Sequence, residues 1–380
     1  MRVHLSPAAL QALPGAMSLV DDPRIARTRK HSLATILVIA LLGTIADCEG
    51  WDDLEEWAEE QHEWLETFLD LTNGTPSADT FRRVFEALDR SVFAEAFLAW
   101  ARSFLPAGGA GTTVALDGKT MRGTAAPSRA LRALHVVHAW CVEDRVLLGQ
   151  LDTDSKSNET ATVPDLLATL NLEGVTVTGD AANTYRPIAQ QIVDQKGDYV
   201  LAVRGNQPRL EEQIVEHFAP HVNADTMPEG ITRHVEVREG HGRVVEQTVW
   251  VAPASVLEDQ ERWAGAKTIV YVRSRRIEAT KASQEWRPYV SSREGLSPAK
   301  FLELIRSHWS VENDLHWQLD VSFREDATRI RDRNAAVNLS LLRALALGML
   351  KRETSNKRGI DAKRKKASRS VPYLLKVLAA

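Results

Sequence analysis

RSHWSVENDLHWQLDVSFRED, residues 306–326, is the stretch from which this 380-residue chain is best read. Val311, Leu315, Leu319 and Phe323 recur at the spacing of one apolar helical stripe, and Trp309, His316 and Trp317 crowd the same turns. A helix with such a stripe packs against something, so Glu312 is fixed in position among the aromatics. A lone glutamate on an amphipathic helix is by default a solvated surface group. Two aspartates upstream give Glu312 a second reading, because each closes a strand-like run: Thr113-Val-Ala-Leu-Asp117 and Val175-Thr-Val-Thr-Gly-Asp180.

Working outward from these runs, strands at 113–117, 134–142 and 146–151 precede a helix at 160–170, the strand ending at Asp180, a helix near 187–195 and a strand at 199–203. That alternation predicts an α/β fold with a mixed sheet of the ribonuclease-H-like kind. Acids at the carboxyl ends of neighbouring strands of such a sheet project into one crevice. Residues of about 209–295 differ: after a short helix at 210–218, period-2 runs at 232–238, 244–251, 267–272 and 286–291 predict a β-rich insertion. Helical patterning resumes at Pro298, and 334–351 forms another apolar helix.

Upstream, residues 21–105 read as an N-terminal helical domain after a loose arm over 1–20. Ser32 caps a buried helix over 33–46, a second helix runs from 51 or 52 through 65, Ser77 caps a third containing Arg82 and Arg83, and a fourth covers 92–104. Such a domain either presents a helix to DNA or is an ordinary bundle with solvated arginines. Pro106 to Gly111 is a glycine-rich linker, and 112–350 makes the second domain. Residues 351–380 form a basic tail, read either as a solvated extension or as a phosphate-backbone contact.

The net charge of −4 does not by itself point to nucleic acid. Cys48 and Cys141 are too few for a disulfide framework or a multi-cysteine zinc site, which suits a reducing interior. The most apolar run, 33–46, is too short to span a bilayer. A cytoplasmic location without membrane partners is therefore expected. His308 and His316 lie two turns apart, unlike the i, i+4 pair of a zinc metalloprotease. Asp117, Asp180 and Glu312 together suit hard divalent cations, which prefer oxygen ligands. Two such ions can activate a nucleophile on one side of a phosphodiester and stabilise the leaving oxygen on the other.

The segments ALDGKTMRG (115–123), TGDAANTY (178–185), VRGNQP (203–208) and RSHWSVENDLHWQLDVSFREDATRIR (306–331) resemble the insertion-sequence DDE transposases of the H-repeat-associated (ISAs-type) family. DPRIARTRKHSLATIL (22–37), GWDDLEEWA (50–58) and GTPSADTFRRVFEALD (74–89) are similar to that family's associated helical domain. The resemblance implies that Asp117, Asp180 and Glu312 are the metal-binding triad. It also implies Mg²⁺, with Mn²⁺ able to substitute, in two sites. The implied reaction is nicking at transposon ends followed by transfer of the freed 3′-hydroxyl into target DNA, with a homodimer on paired ends and a nucleoid association. Related groups place the glutamate in a tyrosine–arginine–glutamate–lysine signature; here the arginine position is His308 and the lysine position Leu319.

Asp320, Glu325 and Asp326 are alternative third acids, and Tyr185 stands where a glutamine is expected. Lys119, Arg122, Lys156, Asn158, Arg204, Asn206, Gln207, Arg306 and His308 are candidate phosphate or base contacts, each also readable as an ordinary surface polar group. Trp309 and Trp317 either stack on a splayed base or, as is usual at helical spacing, pack in the core. His241 reads as part of a turn. A nuclease without strand transfer and a DNA-binding remnant that has lost catalysis are the rival functions.

Overall fold

Serines capping helices set the frame of the computed structural model, which describes residues 15, 20–104, 109, 111–126, 128, 131–153, 159–240, 242–278 and 280–379. Ser32, Ser77 and Ser297 each accept a hydrogen bond from the backbone N–H three residues on, as expected for side chains that satisfy the first turn's orphan donors. Most of the N-terminal arm, most of the 106–111 linker, Lys156, Asn158 and His241 lie outside the described residues.

The strands are β1 (Thr113–Met121), β2 (Leu134–Cys141), β3 (Val146–Thr153), β4 (Thr176–Gly179), β5 (Asp198–Ala202), β6 (Thr232–Gly240), β7 (Arg243–Pro253), β8 (Thr268–Glu278) and β9 (Ala282–Ser291). Helices α1 (Leu33–Ile45), α2 (Trp51–Glu60), α3 (His62–Leu65), α4 (Ala78–Ala87) and α5 (Arg90–Phe104) precede them. Between strands lie α6 (Glu159–Ala168), α7 (Arg186–Asp194) and α8 (Pro208–Phe218). After β9 come α9 (Pro298–Ser310), a π-helical segment (Val311–His316), α10 (Trp317–Val321), α11 (Arg333–Arg352), α12 (Ile360–Arg369) and α13 (Val371–Leu378). Among the described residues the sheet has nine strands in the order β3-β2-β1-β4-β5-β9-β8-β7-β6. No described helix is long and apolar enough to cross a membrane.

The chain divides into two compact units, each discontinuous in sequence: 1–107 with 118–158 and 312–380, and 108–117 with 159–311. This differs from consecutive domains at 21–105 and 112–350. In the second unit β1, β4 and β5 are parallel, and β9 joins β5 antiparallel to begin the meander β9-β8-β7-β6. The period-2 runs thus extend the main sheet. The apolar stripe of α9 (Phe301, Leu302, Leu304, Ile305) buries against Val200, Val249, Val251, Val270, Val272 and Tyr289.

In the first unit α11 packs on α1, α4, α5 and β3, so the N-terminal helices share a core with the C-terminal half. Every residue from Ala335 to Leu350 is buried, which is why this helix is apolar on nearly all sides. Two of its polar members reach backbone carbonyls: Asn338 Nδ2 donates to that of Leu88 at 3.2 Å and Arg343 Nη2 to that of Glu49 at 3.0 Å. Arg82 and Arg83 pair along α4 with Asp79 and Glu86.

The basic run after α11 corrects the expectation of a solvated extension. Glu353 accepts from Ser355 N (2.8 Å), Asn356 N (3.3 Å) and the Tyr373 hydroxyl (2.6 Å). Lys363 Nζ donates to the Leu350 carbonyl at 2.7 Å, and Arg364 donates to the Thr44 and Cys48 carbonyls, both at 3.2 Å, while pairing with Asp47. Two cations of the run are therefore interior groups.

One glycine is dictated by close approach. A Cβ at Gly123 would lie 2.3 Å from the Thr328 carbonyl oxygen and 2.6 Å from that of Asp326. Backbone cannot yield as a flexible side chain does, so Gly123→Ala is expected to cost about 1–3 kcal/mol, read as a lower urea midpoint.

Candidate active site

β1 and β4 run parallel in the register Thr113↔Thr176 through Leu116↔Gly179. Asp117 and Asp180 occupy the next step. Neighbouring strands lie roughly 4.8 Å apart, and equal register in a parallel pair puts side chains on one face. Asp117 and Asp180 each follow directly on the last paired residues, Leu116 and Gly179, at the carboxyl end of the β1–β4 pairing, and both are partly exposed. Asp117 does not end its strand, as the sequence suggested. What ends at Leu116 is the pairing with β4; β1 itself continues to Met121.

The loop after Asp180 is closely braced. Asp180 Oδ1 accepts from Asn183 N at 3.1 Å and Nδ2 at 3.0 Å, making the aspartate a local N-cap. Asn206 Nδ2 donates to the carbonyls of Ala181 (2.6 Å) and Thr184 (3.2 Å), and Gln207 Nε2 to that of Thr184 (3.1 Å). Asn206 and Gln207, expected as nucleic-acid contacts, instead hold the aspartate-bearing loop against the end of β5. Arg204 beside them is exposed.

Thr178 shares a sheet face with Asp180 by the period of two, and its hydroxyl lies 3.3 Å from His308 Nδ1 on α9. Helix α9 thus meets β4 at Thr178, two residues before Asp180. Arg306, two residues back from His308, is engaged within its own unit: it donates to Gln247 Oε1 at 2.6 Å and Glu236 Oε2 at 2.8 Å, tying α9 to β6 and β7. This replaces the phosphate contact expected from the sequence. Arg306→Ala is expected to destabilise by about 1–3 kcal/mol in urea titrations while leaving the salt dependence of DNA binding unchanged.

Glu312 lies in the π-helical segment and is exposed. Single turns of π-helix inside α-helices recur at functional sites, because the extra residue re-aims side chains. Val311, Leu315 and Leu319 are fully buried, as the stripe predicts. Two polar ties also fix the segment within the first unit: His316 Nε2 lies 3.1 Å from His138 Nδ1 on β2, and Lys351 Nζ donates to Asp314 Oδ1 at 2.7 Å. Burial and the neighbouring His316 hold His138 well below the usual histidine range, so it is neutral. Trp309 and Trp317 are 38% and 55% exposed, contrary to the packed reading. Each is two residues off the stripe, which puts it on the opposite side of the helix. Arg287 stacks over the Trp309 ring at 4.8 Å.

The remaining acids of this stretch are engaged. Lys119 Nζ is buried and pairs with Asp320 Oδ1 at 2.7 Å and Glu325 Oε2 at 2.9 Å. Asp326 Oδ1 accepts from the Arg122 N–H at 3.0 Å. Burial pushes the Glu325 carboxyl up, but Lys119 and Arg343 outweigh it and hold the group down at about 2. For Asp320 burial wins over Lys119 and raises the carboxyl. Lys119 is thus an interior counter-ion and not a phosphate contact, a role its neighbours in sequence do not signal. Arg122 is 83% exposed.

Carboxylates alone make up the donor set of Asp117, Asp180 and Glu312, which fits Mg²⁺ or Mn²⁺ rather than a soft metal. Among the described residues no group of three or more His, Cys, Asp or Glu is already gathered to hold a metal ion.

Strand order 3-2-1-4-5 with parallel β1, β4 and β5 and an antiparallel β2–β3 pair is that of a ribonuclease-H-like fold. The profile described as "Transposase DDE domain" matches residues 108–349, and "DDE_Tnp_1-associated" matches 15–101. The chain belongs to the DDE transposase family. It is 34% identical over 375 residues to "Putative transposase YncI" of Escherichia coli O157:H7, covering 98% of this chain and 95% of that protein. It is 34% identical over 375 residues to "H repeat-associated putative transposase YhhI" of Escherichia coli K12, covering 97% and 98%. An "Uncharacterized protein in dhlA 3'region" of Xanthobacter autotrophicus is 39% identical over 295 residues, 77% of this chain and 98% of that protein. Membership of this family implies DNA as the partner.

Proposed function

We propose that this protein cleaves DNA at the ends of an insertion sequence and joins the freed 3′-hydroxyl to target DNA, with Asp117, Asp180 and Glu312 as ligands of two Mg²⁺ ions. The observation that supports the proposal is the parallel β1–β4 register, whose last pair, Leu116 and Gly179, immediately precedes Asp117 and Asp180. When bound, the divalent ions supply activation of the attacking oxygen and stabilisation of the leaving oxygen. Asp117 and Asp180 supply fixed negative charge at the carboxyl end of the β1–β4 pairing, and the Asn183, Asn206 and Gln207 bonds keep Asp180 from swinging away. Glu312 supplies the third carboxylate from a segment anchored by His316 and Asp314. The engagement of Asp320, Glu325 and Asp326 by Lys119 and Arg122 favours Glu312 over those acids. The protein acts as a homodimer on paired ends.

Incubation with labelled inverted-repeat ends, Mg²⁺ or Mn²⁺ and a target plasmid tests this. Nicked ends joined to plasmid are expected. Cleavage without joining would instead indicate a nuclease, and folded protein that binds the ends without cutting would indicate a catalytically dead remnant.

A further inference from the structure

Residues 351–380 carry ten lysines and arginines against Glu353 and Asp361, a net of +8, in a chain whose total is −4. The rest of the molecule is therefore at −12, and its cationic character is concentrated in this segment. The fold sorts these cations into two sets. Lys351, Lys363 and Arg364 are engaged internally by Asp314, by backbone carbonyls and by Asp47. Arg358, Lys365, Lys366 and Arg369 are exposed and line an open cleft of about 510 Å³ together with Asn356 and Asp361. Asp361, the sole acid there, is paired with Lys365 at 3.0 Å, and Lys366 sits over the Tyr373 ring at 4.3 Å. Among the described residues no carboxylate pairs with Arg358, Lys366 or Arg369.

We infer that this α12 cleft is a second DNA contact, separate from the carboxylate site, that grips the phosphodiester backbone of duplex DNA without reading sequence. Its partner as DNA rests on the proposed transposase function; its existence as an anion cleft rests on the charge sorting alone. The display is rigid. Glu353 knits Ser355, Asn356 and Tyr373 into one frame and Lys363 locks α12 onto the end of α11, so little ordering entropy is lost on binding. A solvated tail of the same composition would lose far more. The cleft presents Arg and Lys donors, amide donors from Asn356 and a hydroxyl from Ser370, the groups that position a protein on a phosphate backbone.

The test uses the full-length protein and an arbitrary-sequence duplex, followed by fluorescence anisotropy across a salt series without divalent ions, so that loss of the metal site does not affect it. For Lys365→Gln, Lys366→Gln and Arg369→Gln combined, the slope of log affinity against log salt is expected to fall by about 2–3, at roughly 0.9 for each phosphate no longer neutralised. Affinity should fall equally for sequence-matched and arbitrary duplexes. Asp361→Asn, which removes the cleft's only acid, is expected to tighten binding. A control combining Lys196→Gln, Arg209→Gln and Lys300→Gln, exposed but ion-paired elsewhere, should leave the slope unaltered. The proposal is overturned if the triple variant keeps the wild-type slope, if the control loses as much, or if single-stranded RNA or anionic phospholipid vesicles bind at the cleft more tightly than duplex DNA. Cleavage failing in Mg²⁺ while this salt dependence holds would fault the catalytic reading and leave the cleft standing.

Discussion

Asp180→Asn is expected to reduce strand cleavage about a thousandfold or more while the protein stays folded. The substitution keeps an oxygen in the place of Oδ1, so the cap on Asn183 survives. What disappears is one negative charge at the residue that follows the last β1–β4 pair. Losing an anionic ligand to a hard cation removes roughly 4 kcal/mol of transition-state stabilisation, and each 1.36 kcal/mol is a factor of ten in rate. Single-turnover cleavage of a labelled end, beside an unchanged urea midpoint, reads both halves of the expectation. Wild-type cleavage by the variant would remove Asp180 from the metal site.

The second large effect concerns stability. Glu325 is wholly buried with Lys119 at 2.9 Å and Arg343 at 4.0 Å. Glu325→Gln leaves two interior cations short of their counter-charge, and breaking a buried pair from one side costs about 3–5 kcal/mol. Because Lys119 lies two residues after Asp117, this loss should also slacken the continuation of β1, and cleavage should fall along with the urea midpoint. An unfolding free energy within about 0.5 kcal/mol of wild type would show that the cluster is solvated rather than buried.

The same carboxyl predicts a pH dependence. Its folded value of about 2 lies below the ordinary 4.5, so the stability it contributes is complete above the ordinary value and is lost as pH falls toward 2. Buried neutral His138 acts in the same direction, since it must gain a proton on unfolding in acid. Comparing wild type with Glu325→Gln between about pH 6 and about pH 3 subtracts the histidine's share. The stability gap between them should narrow with acidification; a gap that stays constant would exclude the shifted carboxyl.

Much of this was legible in the residues. The stripe Val311, Leu315, Leu319 and Phe323 declared its buried side, Ser32 and Ser77 declared helix starts, and the period-2 runs declared β6 to β9. Local rules suffice there, because hydrophobic periodicity and caps act within a few residues. What stayed hidden depends on partners far away in the chain. Nothing near Arg364 announces that its guanidinium bonds the carbonyls of Thr44 and Cys48, so the run of cations read as either a solvated extension or a phosphate contact, with no interior role. Lys119 looked like a surface group for the same reason, its acids lying some two hundred residues later. Asp180 was recognisable as a strand-terminal acid, but neither the run of β1 past Asp117 nor its parallel register with β4 is encoded by either segment alone. The π-helical turn at Glu312 had no sequence signal; the exposure of Trp309 and Trp317 did, in their two-residue offset from the stripe.

The central claim is that Asp117, Asp180 and Glu312 hold the divalent ions jointly. Mn²⁺ binding followed by electron paramagnetic resonance, with the protein on a DNA end, tests it most directly. Wild type should take up two tightly held ions, and Asp117→Asn, Asp180→Asn and Glu312→Gln should each lose tight binding of at least one. Full retention of both ions by Glu312→Gln, with loss in the two aspartate variants, would contradict the shared site.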